Sequence, residues 1–258
     1  MTSPSALLPS LLQLARDAGS AIMRIYDSPG AIQQKADTSP LTLADLAAHH
    51  ILIRGLKALT PDIPVVSEEE EDSHAHRKPT GQFWIIDPLD GTKEFIAHNG
   101  EFTVNIALVE NGFPLLGVVY APALEALYWS EPGRGAYREQ GREKRAIHVA
   151  ADTAGRALRV VASKSHLDDA TRAFINELGP HELVQAGSSL KFCRVAEGSA
   201  DVYPRLGPTC EWDTAAAQAV VEAAGGSVKK LDASRLNYGK PDKLNPHFVV
   251  RGGTTAAN

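Results

Sequence analysis

Cysteine is scarce in this 258-residue chain: Cys193 and Cys210 are the only two. They offer no disulfide framework and no C-x-x-C metal or redox pattern, and they read as reduced thiols in a reducing compartment. No apolar run reaches the ~18–20 residues that a membrane-spanning helix needs. The N-terminus lacks the basic and apolar regions of a signal peptide. Positive charge is also short, with 26 Lys and Arg against 31 Asp and Glu and a formal net charge of -5. Such a chain lacks the basic surface of a nonspecific binder of nucleic-acid polymers or anionic membranes. The expected location is the cytoplasm, with peripheral attachment at the cytoplasmic face of the inner membrane left open. The same negative balance opposes an anionic substrate unless bound cations reverse the sign locally.

Hydrophobic residues make up 43% of the chain, enough for a sizeable core. The length allows one large domain or two packed subdomains. Leu8, Leu11, Leu12, Ala15, Ala18, Ile22 and Ile25 recur at helical spacing, with Pro9 expected in the first turn and Ser28-Pro29-Gly30 as the stop. A second helix is expected from about Leu43 to Leu59, with Ala44, Ala48, Ile51, Leu52 and Leu56 on one face. Strands are expected at Ile63–Ser67 and Phe83–Ile86, joined by an exposed polar loop that runs to Gly81. Thr103–Val109 and Pro114–Tyr120 flank Asn111-Gly112, a strong hairpin signal, and further short strands are expected near 127–129, 135–138 and 146–149.

From about residue 155 the pattern changes. Strands at Leu158–Ala162, Leu183–Ala186, Ala200–Arg205 and Phe248–Val250 alternate with helices at Asp168–Leu178, Leu190–Ala196 and Thr214–Ala224. That alternation predicts an α/β half after an α+β half, divided as residues 1–154 and 155–258.

The most informative segment is Trp84-Ile85-Ile86-Asp87-Pro88-Leu89-Asp90-Gly91-Thr92-Lys93-Glu94-Phe95. It reads as a buried strand that ends in two aspartates, then a turn and a helix start. Asp-Pro and Asp-Gly are both turn formers, so a plain turn accounts for part of it. A turn alone does not explain an aspartate that follows an apolar strand, or the ordered element that resumes at Thr92. Two hard carboxylates beside free backbone N–H groups, with the Leu89 carbonyl between them, make a ligand set for Mg²⁺ and phosphate together. Gly91 permits close backbone approach to an anion. The residues thus point to a metal-dependent phosphatase.

Other candidates are weighed in the same way. Glu68 follows the strand Pro64–Ser67 and is held by it, whereas Glu69 to Asp72 read as a solvated charge run. Asp213 opens a helix, where it serves as an N-cap and can also face a metal. Asp45 and Thr92 can form a proton-accepting pair, although Asp45 equally suits an exposed helix face. His74 and His76, in a polar loop, make a poor metal site, and His49 and His50 read as helix-surface residues. Trp84, Trp129 and Trp212 read as packing residues. Lys191 and Arg205 read as surface cations by composition.

Asp87-Pro88-Leu89-Asp90-Gly91-Thr92, together with Trp212-Asp213-Thr214-Ala215-Ala216 and the upstream Ser67-Glu68-Glu69, resembles the inositol monophosphatase-like superfamily of Mg²⁺-dependent, lithium-sensitive phosphatases. The resemblance covers essentially the whole chain. Within the superfamily, Lys93-Glu94-Phe95, Asn99 to Leu108, Gly187-Ser188-Ser189-Leu190-Lys191-Phe192-Cys193, Tyr203-Pro204-Arg205 and Gly207-Pro208-Thr209 are most similar to bacterial 3′(2′),5′-bisphosphate nucleotidases. The resemblance implies a layered αβαβα sandwich of the inositol monophosphatase/fructose-1,6-bisphosphatase type, with two or three Mg²⁺ in the cleft between the halves. It implies Glu68, Asp87, Asp90, Asp213 and the Leu89 carbonyl as metal ligands, and Asp45, Thr92 and Glu68 as the catalytic set. Gly91, Thr92, His166, Ser188, Lys191, Arg205 and Asp213 fall on the substrate side, with Lys35 at an outer position.

The expected substrate is then a small nucleotide bisphosphate. Adenosine 3′,5′-bisphosphate carries a second phosphate that is not cleaved, and a pocket for it wants fixed cations such as Lys191 and Arg205. An inositol-1-phosphate or fructose-bisphosphate phosphatase is the rival within the class, and a non-catalytic nucleotide or metal sensor the rival outside it. The sequence says nothing of the oligomeric state.

Overall fold

A computed structural model describes residues 3–28, 40–151, 155–163 and 168–253. The first helix, α1 (Pro4–Tyr26), buries Leu7, Leu8, Leu11, Leu14, Ala15, Ala18 and Ile22 along one stripe. It begins a turn earlier than expected, on Pro4, so Pro9 lies inside the helix. Pro9 is solvent-exposed there, which leaves room for its ring on the outer face. The second helix, α2 (Pro40–Leu59), packs against it through Ala44, Ala48, Leu52 and Leu56, each fully buried. Gly55 permits the close approach: a Cβ there would lie 2.4 Å from Leu14 Cδ1.

These helices cover one face of a seven-stranded sheet. Its strands are β1 (Val65–Ser67), β2 (Gln82–Asp90), β3 (Thr103–Glu110), β4 (Phe113–Ala121), β5 (Ala126–Glu131), β6 (Gly135–Gln140) and β7 (Glu143–Ile147), in that spatial order. β1 and β2 are parallel, and every other neighbour pair is antiparallel. The β3–β4 turn holds Asn111 at φ 49° and Gly112 at φ 80°, the left-handed pair that its sequence demands.

The stretch expected as an exposed loop after β1 is mostly exposed, and it contains a 3₁₀ turn, Glu71–His76, whose Ser73 is buried. Ser73 Oγ donates to the Glu70 carbonyl and accepts from the Ser67 N–H, so a local serine network holds the turn.

The second sheet contains β8 (Leu158–Ser163), β9 (His181–Ala186), β10 (Val202–Arg205), β11 (Ser227–Lys230) and β12 (Phe248–Arg251), ordered β11-β12-β10-β8-β9. β8, β9 and β10 are parallel, as strand–helix alternation requires. β12 and β11 join antiparallel. β11 is a strand that the sequence reading lacked: four residues after a glycine pair carry too little periodicity to announce one.

Helix α4 (Asp169–Glu177) lies on the outer face of this sheet, where Ile175 meets Val160 and Ala162. Helices α5 (Leu190–Ala196) and α6 (Ala215–Ala223) lie between the two sheets. One apolar core joins Phe83, Ile85 and Val119 of the first sheet to Leu190, Val220 and Val250 of the second half. The layers are therefore helix, sheet, helix, sheet, helix, as expected.

The tightest contact in that middle layer is at Gly117 on β4, where an added Cβ would fall 2.1 Å from the Ala216 carbonyl oxygen of α6. Replacing Gly117 with alanine is expected to push α6 off the sheet and to cost about 1–3 kcal/mol. Denaturant unfolding checks this, and an unchanged midpoint would contradict the packing.

Candidate active site

The two aspartates of β2 reach one cleft because of a bulge. Residues three apart on a regular strand point to opposite faces. Here Asp87 pairs with Asn105 and Asp90 with Thr103, so three steps on β2 match two on β3. The extra residue returns both aspartates to the same side. Pro88, which has no N–H to offer a ladder, suits the irregular stretch. The turn after it needs glycine: Gly91 has φ 102°, and a Cβ would lie 3.2 Å from both Phe102 Cα and Ser188 Cβ.

Glu68 arrives from the parallel neighbour. β1 pairs Ser67 with Ile86, and the Glu68 N–H donates to the Ile86 carbonyl, so Glu68 and Asp87 leave adjacent strand ends together. The residue before Glu68 is pinned from two sides: His49 Nδ1 meets Ser67 Oγ at 2.8 Å, and His74 Nε2 meets the Ser67 carbonyl at 2.9 Å. His49 is therefore buried, not a surface residue, because its ring fills the space under β1. His74 also packs on Trp212, with ring centroids 4.8 Å apart, which ties this loop to the second half of the chain.

Asp213 comes from just before α6. It does not cap that helix: Thr214 holds the N-cap position, and Asp213 Oδ2 accepts from the Cys210 N–H at 2.8 Å. Its neighbour Glu211 is fully buried and accepts from the N–H groups of Gly239 and Lys240, from Lys240 Nζ and from Arg77. Asn245 Nδ2 donates to the Cys210 carbonyl at 2.7 Å. Segment 237–245 thus straps the Glu211–Thr214 turn in place. Sequence reasoning missed Glu211, Arg77 and Lys240, and its one signal was an acidic residue inside the apolar approach to Trp212-Asp213.

Glu68, Asp87 and Asp213 each offer an oxygen within 4.8 Å of the others. Asp90 stands outside this trio. Its Oδ2 accepts from Ser188 Oγ at 2.5 Å and from the Ser189 N–H at 2.7 Å, which binds β2 to the loop before α5.

Burial raises the Asp87 carboxyl well above its ordinary range, and Glu68, Asp90, Asp213 and Asp45 add to the rise. Burial, then Asp90, pushes Asp213 up to about 8, despite its bond from the Cys210 N–H. Burial, then Asp90 and Glu69, pushes Glu68 up to about 7. Among the described residues no lysine or arginine forms an ion pair with the trio. Oxygen-only donors that repel one another and lack a protein cation fit a hard divalent metal ion.

Asp45 lies on α2 behind this group, raised to about 8 by burial and then by Glu69 and Glu68. No hydrogen bond joins it to Thr92 among the described residues. Thr92 is exposed at the first position of the short helix α3 (Thr92–Ile96), which follows β2 in the chain.

One cleft of about 280 Å³ is lined by Glu68, Asp87, Leu89, Asp90, Gly91, Thr92, Ser188, Lys191, Arg205 and Asp213. These expected site residues come from both halves of the chain. Lys191 is buried, and burial lowers its ammonium to about 8 although Asp90 lies near enough to raise it. Its Nζ sits 5.7 Å from the centre of the Tyr203 ring. Arg205 Nη2 donates to the Pro208 carbonyl, while its buried Nε meets no partner among the described residues. The cleft therefore has an acidic end and a cationic, aromatic end. His166 and Lys35 lie outside the described residues.

Fold and site together define the class. The chain belongs to the inositol monophosphatase family, whose profile matches residues 4–255. It is 49% identical over 247 residues to the 3′(2′),5′-bisphosphate nucleotidase CysQ of Salmonella typhimurium, covering 95% of this chain and 99% of that one. The crystal structure of CysQ from Bacteroides thetaiotaomicron superposes with a TM-score of 0.89 at 41% identity, over 98% of this chain and 99% of that one. An inositol monophosphatase from Zymomonas mobilis has the same fold at 23% identity, with a TM-score of 0.80 over 98% and 95% of the two chains.

The raised carboxyls give a signed pH dependence. Glu68, Asp213 and Asp45 titrate near 7 to 8 in the folded chain and in the ordinary carboxylate range when unfolded. The folded state therefore holds extra protons between about pH 4 and 8, and stability falls as pH rises through that window. Metal-free protein in EDTA is expected to melt lower at about pH 8.5 than at about pH 5.5. Added Mg²⁺ should reverse the loss at the higher pH. A melting temperature in EDTA that stays flat or rises would contradict the electrostatics.

Proposed function

We propose that this chain is a Mg²⁺-dependent phosphomonoesterase that hydrolyses adenosine 3′,5′-bisphosphate to AMP and phosphate, and accepts 3′-phosphoadenylyl sulfate as a second substrate. The observation that carries the reading is the two-ended cleft. A carboxylate cluster suits the phosphate that is cleaved, and a separate cationic pair, buried Lys191 and half-buried Arg205, suits a phosphate that is kept. The likeness over nearly full length to 3′(2′),5′-bisphosphate nucleotidases supports the same substrate. A cytoplasmic location belongs to this reading, and no described feature supports peripheral membrane attachment.

In this account residues 1–154 form the half that supplies most of the metal ligands, and residues 155–258 the half that supplies Asp213 and the nucleotide side. Glu68, Asp87, Asp90, Asp213 and the Leu89 carbonyl hold two or three Mg²⁺. When bound, the ions neutralise phosphate charge, acidify water and stabilise the leaving oxygen. Gly91 and Thr92 N–H groups hold the scissile phosphate. Thr92, with Asp45 behind it, orients the attacking water and takes its proton. Lys191, Arg205, Ser188 and His166 bind the nucleotide.

Attack by water, without a covalent intermediate, agrees with the state of the thiols. Cys193 is buried with its thiol pushed far up, and Cys210 is pushed up to about 12, chiefly by burial, so neither supplies a thiolate.

Phosphate release from adenosine 3′,5′-bisphosphate and inositol-1-phosphate, with and without Mg²⁺, tests the reading. Mg²⁺-dependent turnover with higher kcat/KM for the nucleotide is expected, and preference for the inositol ester would refute the substrate assignment. Lys191→Ala is expected to lower kcat/KM about 10- to 100-fold on the bisphosphate, as loss of a charge-assisted contact does. It should act far less on adenosine 3′-monophosphate, and equal losses on both would remove Lys191 from the second phosphate site.

A further inference from the structure

Glu94 is a carboxylate that the mechanism does not use. It lines the same cleft as Lys191 and Arg205 and is only 8% exposed. Its side chain threads between two glycines. A Cβ on Gly187 would lie 2.5 Å from Glu94 Cγ, and a Cβ on Gly91 would lie 3.3 Å from Glu94 Oε2. The backbone of both halves is thus kept bare where this side chain passes.

A glutamate three residues after a helix N-cap usually reaches back to the cap N–H. Glu94 occupies that position relative to Gly91, yet makes no such bond. Among the described residues no group donates a hydrogen bond to its carboxylate, and no lysine or arginine lies within ion-pair distance of it. The nearby Glu101, by contrast, accepts from the Gly187 N–H at 3.0 Å. Its carboxylate oxygens are open to the cleft, and an ionised carboxylate can only accept. Glu94 lies near enough to Lys191 to favour its ammonium, and its oxygens remain open to a ligand group that donates.

We propose that Glu94 is a specificity residue that accepts a hydrogen bond from a neutral donor on the nucleoside part of the substrate, either a sugar hydroxyl or the exocyclic amine of the base. The proposal rests on the nucleotide reading given above. Glu94 then selects for the nucleoside between the two phosphate positions, while Lys191 and Arg205 read charge.

The test compares wild type, Glu94→Ala and Glu94→Gln on three substrates: adenosine 3′,5′-bisphosphate, its 2′-deoxy analogue, and inosine 3′,5′-bisphosphate. Glu94→Ala is expected to lower kcat/KM about 10- to 100-fold on the adenosine substrate, the range for a hydrogen bond to a charged group. The loss should shrink to within about threefold on whichever analogue lacks the donor, as a substrate double-mutant cycle requires. Glu94→Gln keeps an acceptor oxygen and the shape, so it should retain more activity than Glu94→Ala on the adenosine substrate. Shrinkage with the deoxy analogue identifies the hydroxyl, and shrinkage with inosine the amine. Equal losses on all three substrates, or no loss on any, would overturn this role alone. If wild type turns over no nucleotide yet releases phosphate from another ester, the functional reading fails, and this role with it.

Discussion

Everything in the cleft follows from placing several carboxylates together where, among the described residues, none of Glu68, Asp87 and Asp213 forms an ion pair with a protein cation. Asp87 is 1% exposed and its ordinary charged state is opposed by burial and by its acidic neighbours. Asp201 is a useful contrast within the same molecule. It is equally inaccessible, at 3% exposed, but Arg156 and Arg159 meet it at 2.6 and 2.8 Å. Burial raises its pKa, yet the hydrogen bonds from the two arginines overcome that and hold it below the usual range. One buried carboxylate is neutralised inside the protein and serves the fold. The others are left for a ligand to neutralise, which is the electrostatic mark of a working site.

Holding such a group together demands rigidity from elements far apart in the chain. Parallel pairing of β1 with β2 sets Glu68 beside Asp87, the β2 bulge turns Asp90 to the same side, and the Glu211 strap fixes the turn that carries Asp213. Asp90 has a second task, since its bonds to Ser188 and Ser189 tie the acidic end to the loop that carries Lys191. The hydroxyls of Thr103, Ser188 and Ser189 meet at 2.6 and 2.7 Å and close the network beneath it. Geometry at the cationic end is thus linked physically to geometry at the acidic end.

Much of this was legible in the sequence, for local reasons. Helical stripes such as Ala44, Ala48, Leu52 and Leu56, and the Asn111-Gly112 turn, are decided by neighbours a few residues away. Asp87 and Asp90 stood out because carboxylates at the end of an apolar strand have no packing purpose. What stayed hidden depends on contacts across the chain. His49 looked like a surface residue until β1 supplied Ser67 as its partner. Asp213 looked like a helix cap, but the Cys210 N–H claims its oxygen. Glu211 and Lys240 are 29 residues apart, and no periodicity links them. Glu94 sits inside a motif, yet its passage into the cleft appears only when Gly91 and Gly187 meet around it.

The most direct measurement is the proton balance of Mg²⁺ binding, obtained by calorimetric titration near neutral pH in buffers of different ionisation enthalpy. If the cluster is a metal site whose carboxyls are held partly protonated by burial and mutual repulsion, Mg²⁺ must displace protons as it binds. The account predicts release of about one proton or more per chain near pH 6.5, fading towards pH 9 as Glu68 and Asp213 ionise on their own. Binding with no proton release at either pH, or no binding at all, would contradict it.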